Sequence, residues 1–376
     1  MNRLLIVGAG FSGAVMARVF AEHGFLVDLI DKRNHLCGNA FDKVDSYGER
    51  VHVYGPHLLH GNPKSPAVAF LSRFTEWVDY EHRVRALLPN GATTPLPVNR
   101  TTLEDVFGIS LLSEHDAVDF LESLRISNGP IHNADEAFVS TVGETLSNLF
   151  FRPYTRKMWG LSPTRLPVSL ARRLPLRVNR DDRYFSDLFQ ALPLDGYARL
   201  FERLLDHPLI EVKLGSHFSH SMIDGHLHAF LCMPIDQYFG FCFGALPYRS
   251  IIFHHQRAFI PPQQAPVINF TDSGPFTRST QWSLLPNSGT ASNGSILRTI
   301  EEPCSIDRNP GEYYYPVHTP ESKRLYQSYL HLARQLSNIT FCGRTGLFRY
   351  IDMIPAVEIH LRIARQFLKR AGRLSD

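Results

Sequence analysis

Residues 4–31 run from an apolar strand, through a turn holding three glycines and a helix, into a second apolar strand that ends on a carboxylate. Few folds accept that order. Gly8 permits a tight turn, Gly10 lets backbone approach a pyrophosphate, and Gly13 lets the helix pack on the strand. The helix N-terminus then presents free N–H groups and a partial positive charge to phosphate. Asp31 stands 23 residues after Gly8, near the roughly 20-residue spacing of a carboxylate that binds a ribose hydroxyl. The stretch therefore reads as the opening of a dinucleotide-binding α/β domain.

The rest of the composition narrows the class. A chain of 376 residues, 44% hydrophobic and 20% charged, matches a soluble globular protein of two or three structural units. A net charge of +3 gives no general basis for binding nucleic acid or a membrane surface. No apolar run reaches the roughly 18 residues of a membrane span, so no membrane insertion is expected. The first strand begins at once, leaving no room for a signal peptide, and a cytoplasmic location is expected. The five cysteines, at 37, 232, 242, 304 and 342, lack CxxC spacing and read as free thiols, with no metal site.

Residues 84–101 alternate around an Asn90-Gly91 turn and predict a hairpin. From 102 to about 170 apolar residues recur at three- and four-residue intervals, as in helices. Residues 170–194 read as irregular or strand-like, and 250–254 and 267–271 as short strands. The polar stretch 286–310 reads as an exposed loop. Helix resumes at 321, and 341–364 reads as a glycine turn leading into a long amphipathic helix. In many flavoproteins such a late helix N-terminus faces the pyrimidine end of the flavin ring. The glycine-containing loop at 35–39, directly after the second strand, also favours FAD over NAD.

Several ordered motifs together resemble the flavin-dependent UDP-galactopyranose mutases. They are KRNHLCGNAFD at 32–42, YGPH at 54–57 with His60 following, FRPYTRKMWG at 151–160 and RRLPLRVNRDDRYF at 172–185. ALPLDGYARLFE at 191–202, PIDQYF at 234–239 and LPYRSIIF at 246–253 continue the order, then INFTDSGPFTRS at 268–279, EYYYPV at 312–317 and GRTGLFRYIDM at 343–353. The resemblance spans nearly the whole chain. It implies an α/β fold with a Rossmann-like FAD-binding domain, a helical insertion and a mainly antiparallel β-sheet domain. The expected boundaries are 1–85 with 195–230 and 335–376 for the FAD domain, 102–170 for the helices, and 86–101 with 171–194 and 231–334 for the sheet.

The same resemblance implies interconversion of the pyranose and furanose forms of a nucleoside-diphosphate sugar, UDP-galactose or a close relative. Reduced FAD would act through its N5 as a nucleophile on the anomeric carbon, without net redox. His57, His60, Arg249, Tyr350 and Asp352 would carry the catalysis. Gly8, Gly10, Phe11, Ser12, Gly13, Asp31, Lys32, Gly38, Asn39, Tyr54, Gly55, His57, Arg344, Tyr350, Asp352 and Met353 would hold the cofactor. Arg173, Arg249 and Arg278 suit a diphosphate, because guanidinium groups bind it bidentately and stabilise charge developing on it. Phe150, Phe151, Tyr154 or Trp159 would stack on the base, Tyr184, Tyr314 and Tyr350 would contact the phosphates or sugar, and Thr155 and Asn269 would also bind the substrate. Which of the tyrosines at 313–315 serves is open, and Asp352 suits an N-cap as well as a sugar contact.

Some positions depart from the family pattern. Cys37 stands where glycine is usual, Gly61 replaces a threonine, and Met233, Ser279, Gln281, Phe348 and Ile354 also differ. None removes a group the mutase chemistry needs, but they leave the sugar and nucleotide open. The alternatives are an FAD oxidoreductase acting on a sugar or amine, and a nucleotide-sugar sensor. Neither explains three diphosphate-type arginines together with a histidine loop. A homodimer is expected by analogy with bacterial members.

Overall fold

The computed structural model describes residues 2–126, 129–173 and 176–374, with the side chains of residues 172 and 173 left out. Its first layer is a parallel sheet in the order Ile210–Leu214, Leu26–Asp31, Arg3–Val7, His228–Leu231, Ile339–Phe341. Strand Arg3–Val7 is buried on both faces, which explains its unbroken run Leu4-Leu5-Ile6-Val7. Helices Phe11–Glu22 and Met353–Arg370 pack against each other on one face of this sheet, through Ala14, Phe20, Val357 and Ala364. Strand order reverses around Arg3–Val7, so a crevice opens at the carboxyl ends of the strands.

The second layer is a seven-stranded sheet ordered Tyr315–Pro316, Tyr248–Ala258, Ile296–Ser305, Arg278–Gln281, Val267–Phe270, Val84–Leu87, Thr93–Leu96. Its pairs are antiparallel except Val267–Phe270 beside Val84–Leu87. The expected hairpin is present: Val84–Leu87 pairs with Thr93–Leu96 across a turn closed by Gly91 at φ +86°. The helices Arg100–Phe107, Glu114–Leu124, Ala134–Leu146 and Arg152–Trp159 cover one end of this sheet. Asn99 and Ser113 begin the first two through reciprocal caps with Thr102 and Asp116. A third sheet of three short strands, Leu59–Gly61, Phe189–Pro193 and Trp77–Asp79, joins the layers.

One expectation fails. Residues 286–310 are not an exposed loop, because Ile296–Ser305 is a central strand pairing with Tyr248–Ala258 and with Arg278–Gln281. Its inward positions are Leu297, Thr299, Glu301 and Pro303, so the alternation is real but partly polar. A buried carboxylate in a strand defeats a hydrophobicity reading, and tertiary partners explain it.

Candidate functional site

Two connected clefts lie where the layers meet. The narrower, about 290 Å³, follows the glycine turn and is lined by Gly8, Gly10, Phe11, Ser12, Gly13, Asp31, Lys32, Gly38, Asn39 and Met353, among others. Local geometry makes this a cradle. A Cβ on Gly13 would lie 1.9 Å from the Gly8 carbonyl oxygen, and one on Gly38 would lie 3.1 Å from the Gly10 Cα. The helix Phe11–Glu22 starts at Gly10 with no side-chain cap, leaving first-turn N–H groups to a ligand. Asp31 ends its strand with one carboxylate oxygen accepting from Ala9 N (2.7 Å) and the other from Arg33 N (2.9 Å). Phe11 lines the cleft but packs its ring edge-on against Tyr197 and Phe201. A glycine-walled cleft, an uncapped helix N-terminus and a carboxylate at the strand end together fit a bound dinucleotide.

The larger cavity, about 800 Å³, meets the first at Asn39, His57, Arg344 and Met353. At one end stand Phe138, Phe150, Phe151, Tyr154, Thr155, Met158 and Trp159, with Phe138 and Phe151 stacked at 5.1 Å. A π turn over Ser147–Phe151 turns the two phenylalanines at 150 and 151 towards this end. The other end is polar, with His60, Tyr184, Asp187, Asn269, Arg278, Tyr314, Tyr315, Tyr350 and Asp352.

The histidine loop is wired by its backbone. His57 Nδ1 lies 2.8 Å from the Gly55 carbonyl, which only accepts, so Nδ1 carries the proton and Nε2 is left as an acceptor. His57 N in turn donates to His52 Nδ1 (3.1 Å). Burial pushes both imidazoles down to about 3, so both are neutral near neutral pH. His60 sits on strand Leu59–Gly61, with Nδ1 2.8 Å from Asp187 Oδ2 and its ring stacked on Phe185 at 3.6 Å. Gly55 lines neither cleft; at φ +81° it is packed against Glu301, whose Oε1 would lie 2.7 Å from a Cβ there.

Arg278 is a half-buried cation in the wall of the cavity. Its Nε lies 2.8 Å from Oε2 of the fully buried Glu301, and burial raises the Glu301 pKa while that pairing holds the guanidinium charged. Among the described residues, no hydrogen bond occupies the two terminal nitrogens of Arg278. The sequence does not single out Glu301, because polar, glycine- and proline-containing segments flank its strand. Its signal was the alternation Leu297, Thr299, Glu301.

The three consecutive tyrosines separate. Tyr313 packs with Tyr248, Tyr314 turns its phenol to Glu312 (3.4 Å) and packs near Tyr54 and Phe253, and Tyr315 stacks on Tyr350 at 5.7 Å. Arg344 lies over both Tyr315 and Tyr350 and donates to the Tyr314 carbonyl (2.9 Å). The sequence does not single out Tyr315, since three adjacent tyrosines carry the same signal. Tyr54 donates to His35 Nε2 (2.7 Å) beneath the Arg33 guanidinium. Asp352 holds the N-cap position of Met353–Arg370 but makes no cap bond; its carboxylate interacts with Tyr350.

Arg249 requires a correction. Its guanidinium donates to the Met158 carbonyl (2.9 Å) and the Lys157 carbonyl (3.0 Å), and it does not line the cavity. These are the last carbonyls of helix Arg152–Trp159, which have no partner within the helix and carry the negative end of its dipole. Arg249 therefore anchors the helix that carries Tyr154 and Trp159. The Arg173 side chain lies outside the described residues. Cys37, the departure in the flavin loop, is 1% exposed and sits at φ 74°, a left-handed conformation that costs a side-chain-bearing residue about 1–2 kcal/mol.

A dinucleotide cradle opening into a cavity with an aromatic end and an ion-paired arginine defines a flavoenzyme-like protein with a site for a nucleotide-linked substrate. The comparisons give the family. The model of UDP-galactopyranose mutase matches residues 149–350, and that of the NAD(P)-binding Rossmann-like domain matches 6–74. A Klebsiella pneumoniae protein described as a probable UDP-galactopyranose mutase is 33% identical, covering 100% of this chain and 97% of its own. An Escherichia coli dTDP-fucopyranose mutase is also 33% identical, covering 98% of this chain and 99% of its own. A crystal structure of reduced UDP-galactopyranose mutase superposes with TM-score 0.74 at 16% identity, over 99% of this chain and 95% of that one. The chain belongs to the UDP-galactopyranose mutase family and is a mutase-type isomerase. No helix among the described residues is long and apolar enough to cross a membrane.

Proposed function

We propose that this protein interconverts the pyranose and furanose forms of a nucleoside-diphosphate hexose, UDP-galactose or a close relative, using FAD in its reduced form. The observation that carries the reading is the junction of the two clefts at Asn39, His57, Arg344 and Met353, with Arg278 lining the larger one. When bound, the reduced flavin supplies a nucleophile for the anomeric carbon and returns unchanged, so no net oxidation occurs.

The chain's own residues do the rest. Gly8, Gly10, Gly13 and Gly38 admit the pyrophosphate to the helix N-terminus, and Asp31 takes the ribose. Tyr154, Phe151 and Trp159 receive the base. Arg278 turns its terminal nitrogens to the diphosphate, binding it and stabilising its charge as it leaves. Glu301 positions that guanidinium through the 2.8 Å ion pair. His57 offers Nε2 as an acceptor where the clefts meet, and His60 is oriented by Asp187 to move a proton on the sugar. Tyr350 and Tyr315 wall the sugar side together with Asp352.

The division into an FAD domain (1–85, 195–230, 335–376), a helical domain (102–170) and a sheet domain (86–101, 171–194, 231–334) belongs to the same proposal. So do a homodimer and a cytoplasmic location, both argued from family membership. The test is anaerobic incubation with UDP-galactose, its deoxy relatives and thymidine counterparts, with and without dithionite, followed by ion-pairing chromatography. A mass-neutral product that requires reduced flavin is expected. Unchanged sugars over a flavin-loaded, reduced protein would refute the reading.

A further inference from the structure

The cavity holds a third histidine that neither the motifs nor the mechanism above uses. His82 lies just before strand Val84–Leu87, is 4% exposed and lines the polar end of the cavity beside Val84, Tyr184 and Phe185. Its backbone is fixed on both sides: its N–H donates to Gln190 Oε1 (3.3 Å) and its carbonyl accepts from Tyr184 N (2.6 Å). Its Nδ1 is 3.1 Å from the Tyr80 hydroxyl.

That contact fits a neutral ring whose Nδ1 accepts from the Tyr80 hydroxyl, and in that tautomer the proton resides on Nε2. Nε2 makes no hydrogen bond among the described residues, so its N–H is left for whatever fills the cavity. His57 has the opposite wiring, with Nδ1 protonated and Nε2 an acceptor. The cavity thus presents one histidine acceptor and one histidine donor.

Resting on the mutase reading, we infer that His82, held by Tyr80, donates through Nε2–H to a hydroxyl oxygen of the hexose ring and so contributes to sugar recognition. Its place favours the sugar over the diphosphate and the base. Besides Tyr80 and Tyr184, its titratable neighbours are Arg278, assigned above to the diphosphate, and His60 on the sugar side. The aromatic end of the cavity, at Phe138 and Phe151, is formed by other elements. Tyr80 does not line the cavity and acts only through His82.

The experiment measures binding to the oxidised, FAD-loaded protein, with UDP-galactose and dTDP-fucose as sugar probes and UDP and dTDP as sugar-free ones. His82→Phe should weaken the preferred nucleotide sugar by about 3- to 10-fold, the effect of one lost neutral hydrogen bond, and leave the nucleoside diphosphate unchanged. His82→Asn, which keeps a side-chain N–H, should recover part of the loss. Tyr80→Phe should give a smaller loss in the same direction. It should also move the His82 imidazole ¹⁵N shifts from a single Nε2–H tautomer towards a mixture, a signature that mere loosening of the fold does not produce. Retained flavin and an unchanged circular-dichroism spectrum identify variants that fold, and Tyr80→Phe alone suffices if the His82 variants do not. Equal losses for sugar-bearing and sugar-free probes would overturn the assignment to the sugar, and so would no loss at all. A parent protein that binds neither nucleotide sugar would instead overturn the functional reading beneath it.

Discussion

Gly13→Ala tests whether the cradle is as tight as its geometry requires. The new Cβ would sit 1.9 Å from the Gly8 carbonyl oxygen and 3.1 Å from Ile6 Cγ2. Real contacts of this kind stay beyond about 3 Å, so the start of helix Phe11–Glu22 must retreat by about 1 Å from its strand. The obstructing atom is backbone and cannot rotate away, which places the strain near the upper end of overpacking, about 3 kcal/mol. Alanine's better helix propensity returns about 1 kcal/mol, leaving a net loss of about 2 kcal/mol. For 376 residues the unfolding entropy is about 0.8 kcal/mol per degree, so Tm should fall by about 2–3 °C. The larger effect should fall on the cofactor, because the first-turn N–H groups move with the helix and leave the pyrophosphate. Flavin absorbance per protein after purification, together with calorimetry, reads both effects. Gly91→Ala is the control: at φ +86° with nothing within 4 Å, it should cost stability but keep full flavin. If Gly13→Ala purifies fully loaded with Tm within about one degree of the parent, the cradle argument is wrong.

Arg278→Lys should lower kcat/KM by about 100- to 1000-fold, since a point charge cannot replace a bidentate donor on a developing diphosphate; steady-state assays with the reduced enzyme decide. Arg249→Ala should act differently, lowering stability by about 1–3 kcal/mol through two orphaned helix carbonyls while UDP affinity changes less than about threefold. An affinity loss like that of Arg278→Lys, with stability intact, would return Arg249 to the ligand. The protein should also lose stability in mild acid. Burial holds His52, His57 and His82 at about 3, so the unfolded chain, titrating near the ordinary 6.5, takes up protons that the native state refuses. Stability is therefore complete above that ordinary value and falls as pH drops towards the native one. The loss amounts to about 2 kcal/mol per histidine between about pH 7 and pH 5. Urea titrations at the two pH values measure it, and equal midpoints would contradict it.

Much of the fold and of the candidate site follows from short-range rules. The glycine spacing and Asp31 define the cradle because turn, phosphate approach and helix packing each restrict one residue within a single βαβ unit. The Asn90-Gly91 hairpin and the Asn99 and Ser113 caps are likewise local chemistry. Residues drawn from distant motifs, such as Tyr154, Tyr184, Asn269, Arg278 and Tyr350, line one cavity. Their sequence supplies the side chains but not the distances between them.

What only the tertiary structure decides is the partner of each polar group. Ile296–Ser305 is a strand because two neighbours pair with it, and Glu301 can lie within it because Arg278 comes from the adjacent strand. Arg249 faces the end of a helix rather than the cavity because register brings the orphaned carbonyls of residues 157 and 158 to it. The tautomers of His57 and His82 depend on a carbonyl and a phenol that the fold places at one ring nitrogen. Local sequence determines which conformations are sterically open. Long-range pairing determines which buried charges and protons are tolerated, because only a compensating partner offsets the loss of water.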